Sequence, residues 1–295
     1  MRPGAVAVES SSGNLGIALA RETAQRAMVL LKNDQGVLPL RADRIRKLAV
    51  LGTHARDTPI GGYSEVPRHV VSVLEGLQAE GRGKFEVVYS EAVRITESRV
   101  WAADEVTLVD PAVNARLIER AVADARDADV IVMVLGDNEQ TSREAWADQH
   151  LGDRDSLELL GQQNDLARAI FALNKPTVVL LLNGRPLSVN YLAENAPALI
   201  EGWYLGQETG HAVADVLFGR VQCGFGGPEI CRQYTLLAVQ HVELAALRWL
   251  DHDDNAAGLL RGAQARADAG AGAGEVEHLV PDGRTGTVDE LGNLH

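Results

Sequence analysis

Apolar residues along this chain fall into short β-branched runs separated by stretches of helical spacing. Ala128 to Leu135 and Pro176 to Leu182 are near-continuous apolar runs, the pattern of strands buried on both faces. Lys47 to Gly52 and Ala198 to Tyr204 read as further strands. Phe85 to Tyr89 carries the alternation of a half-exposed edge. Between them, Leu19 to Lys32, Val70 to Glu80, Ala112 to Arg126 (opened by Pro111), Leu157 to Leu173, Pro186 to Asn195 and Gly210 to Phe218 are spaced as helices. Strands joined by helices predict an α/β fold: a mostly parallel sheet with helices on both faces, an α/β sandwich.

The pattern breaks down after Gly219. Residues 1–20 read as an irregular leader, 21–219 as the α/β domain, and 220–251 as a different, partly helical segment. Residues 252–295 are so rich in Ala and Gly that they bury too little apolar area to offset their ordering entropy, and they are expected to be disordered.

A net charge of −13 argues against a nucleic-acid surface and against anionic membranes. Lys and Arg form no stripe interleaved with aromatics. The longest apolar runs, about six residues, fall well short of the ~20 that a membrane-spanning helix needs. With no apolar stretch of signal-peptide type near Met1, the expected location is the cytoplasm. Cys223 and Cys231 match no metal-ligand spacing and read as thiols or as one disulfide, so neither a metal nor a cofactor is expected. Gly206-Gln207-Glu208-Thr209-Gly210 lacks the Lys-Ser/Thr ending of a phosphate loop, and no nucleophile elbow is present.

Several motifs then occur in a telling order. They are Val29-Leu30-Leu31-Lys32-Asn33-Asp34 with Leu38-Pro39-Leu40, Ala49-Val50-Leu51-Gly52 with Gly61-Gly62-Tyr63-Ser64, and Glu144 with Gly152-Asp153-Arg154. Lys175-Pro176-Thr177-Val178-Val179, Asn183-Gly184-Arg185-Pro186-Leu187 and Gly206-Gln207-Glu208-Thr209-Gly210 follow. Together they resemble the C-terminal α/β-sandwich domain of family-three glycoside hydrolases, the β-glucosidase and β-xylosidase family. The resemblance implies a loop carrying a general acid/base carboxylate, and Glu144 occupies that place. It also implies a catalytic aspartate on a preceding β/α barrel, which the short stretch before the match has no room to form, since a barrel takes about 250 residues. Beyond Gly219 the resemblance stops abruptly, and a shifted reading frame would produce such a tail.

Glycoside hydrolysis needs two carboxyl groups about the scissile bond, one of them able to protonate the leaving oxygen. Glu144 is the catalytic candidate. Trp146 is close enough in sequence to form a stacking wall, and Tyr63 and Ser64 suit a pyranose subsite, although Gly61-Gly62 reads equally as a simple turn. Arg143 would favour the ionised form of Glu144 if it faced it; the alternatives are that it points away or holds another acid. The loop also contains Asp137, Glu139, Asp148 and His150. Asp153-Arg154, directly before the expected helix at Leu157, reads as a helix cap with an arginine contact. Glu208 is expected to favour the start of the last helix electrostatically.

Two functions follow from the resemblance. One is the acid/base-bearing domain of a β-glycosidase acting on a β-linked oligosaccharide or aryl glycoside, together with a separate barrel chain. The other is a catalytically inactive truncated fragment or carbohydrate-binding scaffold. In either case an uncovered barrel-facing surface would favour self-association.

Overall fold

The computed structural model describes residues 14–221, apart from 35, 63, 65 and 66, and two short strands near the C-terminus. The chain divides into two units, residues 1–242 and 243–295. The second unit is described only as an antiparallel pair, His278–Leu279 with Thr285–Gly286. The expectations for the partly helical 220–251 segment beyond residue 221 and for a disordered 252–295 tail otherwise lie outside the described residues. No helix among the described residues is long and apolar enough to cross a membrane.

In the first unit, α1 (Asn14–Ala27) leads into β1 (Val29–Asn33), β2 (Lys47–Leu51), a short α2 (Thr53–Arg56) and α3 (Val73–Gly81). Next come β3 (Glu86–Ser90), α4 (Pro111–Ala125), β4 (Val130–Gly136), α5 (Gln163–Phe171) and β5 (Thr177–Leu182). The unit closes with α6 (Asn190–Asn195), β6 (Ala198–Glu201) and α7 (Thr209–Leu217). The six strands form one sheet in the order β1-β6-β5-β4-β2-β3, with β1 antiparallel to β6 and every other pair parallel. The α/β sandwich expected from the sequence is the fold observed.

Period-two alternation sorts the strand residues into two cores. Leu48, Val50, Val132, Val134, Leu180 and Ile200 point to one face, where Met28, Leu77, Val213 and Leu217 cover them. Ala49, Leu51, Ile131, Met133, Val179 and Leu181 point to the other, against Ile118, Leu166, Ile170 and Leu192. Because both faces are covered, every residue of β4 and β5 is buried. Asp110 caps α4 through the Ala112 amide ahead of Pro111, and Ser72 and Glu75 form a reciprocal capping box on α3.

Two expected elements differ. Val29 to Asn33 is a strand, not the end of a helix, because it pairs with β6 from Val29 opposite Glu201 to Asn33 opposite Ala198. The expected helix at Leu157 begins only at Gln163. The stretch before it is held extended by Ser188, whose amide donates to the Leu157 carbonyl at 2.8 Å. The Gln163 side chain then anchors the helix start on the Gly136 amide and carbonyl, both at 2.9 Å.

The connections leave β2 and β4 in opposite directions. β2 leads to β3 on one side of the sheet and β4 to β5 on the other. Loops diverge at such a point, and open α/β sheets place their chemistry in the crevice beyond the carboxyl ends of those strands.

Candidate functional site

The loop following β4 is built inward from Asn138. Its Oδ1 accepts from the Gln140 and Thr141 amides, both at 3.1 Å, in an Asx-type turn, and its Nδ2 donates to Thr96 at 2.9 Å. Glu139 is committed to the loop after β2, accepting the Ile60 amide at 2.9 Å through Oε1. Ser64, exposed, lies in that second loop, and its amide closes a turn onto the Gly61 carbonyl at 3.1 Å. The turn reading of Gly61-Gly62 therefore holds at Ser64, and Tyr63 lies outside the described residues.

Arg143 is buried, at 3% exposure. Its guanidinium lies 3.8 Å from the Trp146 ring centre and 5.4 Å from that of Trp101, donates to the Ala103 carbonyl at 2.8 Å and bonds His150 Nε2. It thus turns inward and props an aromatic wall. Trp146, 46% exposed, lies tilted against His150 with ring centres 4.5 Å apart and donates from its indole nitrogen to Asp104 at 2.8 Å. Burial, aided by the Arg143 charge, lowers the His150 pKa and favours the neutral ring. Trp101 joins this wall from a loop some forty residues away in sequence, and no local pattern marks it.

Glu144 follows Arg143 and is exposed, and no hydrogen bond or ion pair engages it among the described residues. Asp148, Asp155 and Glu158 in the same loop are likewise exposed with no side-chain hydrogen bond or ion pair among the described residues, whereas Asp137, Glu139 and Asp153 are committed. Asp153 accepts from the Ala145 amide at 3.0 Å. It caps no helix, since α5 starts at Gln163 with Gln162 in the cap position, which corrects the expected role of Asp153-Arg154. Arg154 instead reaches the Glu158 carbonyl. Glu208 stands at the N-cap position of α7 but makes no capping hydrogen bond, pairing instead with His211 at 2.8 Å.

Beneath the loop lies a polar layer that the sequence reading did not assemble. Asp137, 1% exposed, accepts from the Tyr204 hydroxyl at 2.6 Å and the Gly184 amide at 2.8 Å, both through Oδ1. Its Oδ2 is buried without a hydrogen-bond partner among the described residues. Burial pushes the Asp137 carboxyl up to about 6, against the opposing hydrogen bond from Tyr204. Nearby Glu201 is pushed up to about 8, again by burial, while it accepts the Trp203 amide at 3.0 Å. His54 donates from Nε2 to the Asp137 carbonyl at 2.5 Å, and burial lowers its pKa to about 4. The one local signal for this layer was an acid placed directly after a fully buried strand.

The model of the glycosyl hydrolase family 3 C-terminal domain matches residues 28–224. A β-xylosidase of Formosa agariphila is 36% identical over 213 residues, covering 70% of this chain and 27% of that protein. A periplasmic β-glucosidase of Salmonella typhimurium is 35% identical over 208 residues, covering 68% of this chain and 26% of its own. Among solved structures, the β-glucosidase EmGH1 of Erythrobacter marinus is 47% identical with a TM-score of 0.68, over 71% of this chain and 29% of that one. The chain thus spans about a quarter of the length of the curated relatives it matches. It belongs to glycosyl hydrolase family 3, within which residues 28–224 are the C-terminal domain.

Proposed function

We propose that this chain is the acid/base-bearing domain of a β-glycosidase, with Glu144 donating a proton to the leaving glycosidic oxygen of a β-glucoside or β-xyloside. The β-xylosidase and β-glucosidase relatives support the substrate class. The observation that carries the assignment is the exposure of Glu144, at the position of the family's acid/base loop, on a backbone held at both flanks. Asp137 is buried, Glu139 and Asp153 are spent on backbone amides, and Asp104 is taken by Trp146. Glu144 is exposed between Arg143, which is anchored in the aromatic wall, and Ala145, whose amide is tied down.

In a retaining reaction the nucleophilic carboxylate attacks the anomeric carbon as the acid protonates the departing oxygen, forming a glycosyl-enzyme. The same residue, now ionised, takes a proton from the water that releases the sugar. In this family the second carboxylate belongs to a barrel, and Trp146, with its exposed ring, supplies a sugar-stacking face at the edge of the site.

A second reading, carbohydrate binding without turnover, is favoured by the exposure of Trp146 in the loop after β4 and of Trp203 just past β6. Mixing the chain with a family barrel chain and an aryl β-glucoside or β-xyloside separates the two. Turnover by the mixture, lost on Glu144→Gln, supports the enzyme. Undiminished turnover with Glu144→Gln, or binding of the sugar with no turnover by the wild-type mixture, contradicts it.

A further inference from the structure

The backbone around Glu144 is pinched from both sides by one residue. Asp153 accepts from the Ala145 amide at 3.0 Å through its carboxylate, and its own amide donates to the Arg143 carbonyl at 3.3 Å. The residues before and after Glu144 are therefore tied to the same partner. Such an approach requires Gly152, because a Cβ there would stand 2.5 Å from the Arg143 oxygen and 2.8 Å from both the Ala145 nitrogen and the Glu144 carbonyl carbon. Asp153 itself holds φ at +45°, a left-handed conformation that Asp and Asn adopt more readily than most residues. Arg185 reaches the same Arg143 carbonyl at 3.4 Å.

A peptide chain has two soft dihedrals per residue. Fixing the peptide groups on both sides of Glu144 removes most of its backbone freedom and leaves the side-chain torsions to set where the carboxyl points. We infer that Asp153, seated on Gly152, is the positioning residue that aims Glu144 at the glycosidic oxygen. The inference rests on the acid/base reading of Glu144. Asp153 touches neither substrate nor the transferred proton, and a charge-assisted hydrogen bond to the Ala145 amide is the stronger kind for such a tether. Displacing a catalytic group by about 1 Å costs on the order of a hundredfold in rate, so the tether has a kinetic consequence that general folding support does not share.

The test compares two aryl β-glucosides in the mixture of the full chain with a family barrel chain. Phenol is a poor leaving group and needs the acid; dinitrophenol departs without protonation. Asp153→Ala should lose about 10- to 100-fold in kcat/KM on the phenyl glucoside and less than about threefold on the dinitrophenyl glucoside. Asp153→Asn, whose amide oxygen still accepts from Ala145, should recover most of the loss. Asp153→Glu keeps the charge but moves the acceptor by one methylene, and it reads the same difference should the alanine variant not fold. Amide exchange at residues 144–146 should quicken in Asp153→Ala while β4 stays protected. Equal losses on both substrates, no loss on either, or unchanged exchange at Ala145 would overturn the inference. Glu144→Gln serves as the reference. If it discriminates between the substrates and the Asp153 variants do not, the positioning role fails while the acid/base reading stands; if it does not discriminate, both fall.

Discussion

The hydroxyl of Tyr204, just past β6, donates to the buried carboxylate of Asp137 at the end of β4, 2.6 Å away. Ser142 Oγ lies 3.1 Å from the same hydroxyl oxygen, so one tyrosine joins the acid-bearing loop to the polar layer below it. Tyr204→Phe keeps the ring and removes the donor. The carboxylate of Asp137 then loses its strongest side-chain donor while keeping the Gly184 amide and the nearby Arg185, and its pKa should rise above about 6. A buried acceptor deprived of its donor costs about 1–3 kcal/mol. Urea unfolding at neutral pH together with a carboxyl titration by NMR checks both effects; an unchanged midpoint and an unchanged Asp137 titration would show that the contact has no energetic weight.

The buried titratable groups give stability a definite slope with pH. Glu201 is raised from 4.5 to about 8, so its contribution is fully present below pH 4.5 and is lost as pH rises through 8. Asp137 acts with the same sign between 3.8 and about 6. His54 is depressed from 6.5 to about 4, so its contribution is present above 6.5 and is lost as pH falls through 4. Between pH 6.5 and 8, then, Glu201 is the one of the three still titrating. Stability should fall across that window by roughly 1–2 kcal/mol, the limit being about 1.4 kcal/mol per pH unit for one proton. Glu201→Gln should flatten the slope. Denaturant midpoints at the two pH values measure it, and an equal slope in the variant would clear Glu201 of responsibility.

Helices α3 and α7 cross where Gly76 and Gly210 meet. A Cβ on Gly210 would stand 1.9 Å from the Ser72 carbonyl oxygen, which is backbone and cannot swing aside. Alanine would gain about 1 kcal/mol of helix propensity, against an overpacking cost of about 3 kcal/mol or more at so short a distance. Gly210→Ala should therefore lower the melting temperature by several degrees. A scanning calorimetry trace matching wild type would mean that the two helices part without cost.

The parallel sheet was legible because its central strands are β-branched runs too apolar for a half-exposed setting, and β4 and β5 are indeed buried throughout. Val29 to Asn33 was not, because its leucines continue the spacing of α1 and only pairing with β6, far away in sequence, makes it a strand. Leu157, Leu159 and Leu160 likewise fit helical spacing with Gln163, yet the bond from Ser188 to Leu157 holds that stretch extended. Glu144 stands out in the sequence by its motif alone, and its proposed role is what the Glu144 variants test. Asp137 and Tyr204 lie 67 residues apart, and Arg143 and Ala103 lie 40 apart. Such contacts leave no local periodicity, and the inward turn of Arg143 follows from them.

The most direct measurement of the acid/base role uses Glu144→Ala mixed with a family barrel chain and supplied with a dinitrophenyl β-glucoside. Such a substrate forms the glycosyl-enzyme without an acid, but water then attacks slowly because the base is gone. Azide needs no base, and in this variant it should raise turnover by about tenfold or more, towards the factor general base catalysis contributes. The product should be the β-glycosyl azide, which the wild-type mixture does not make. Turnover of Glu144→Ala that ignores azide and yields only glucose would place the acid/base elsewhere.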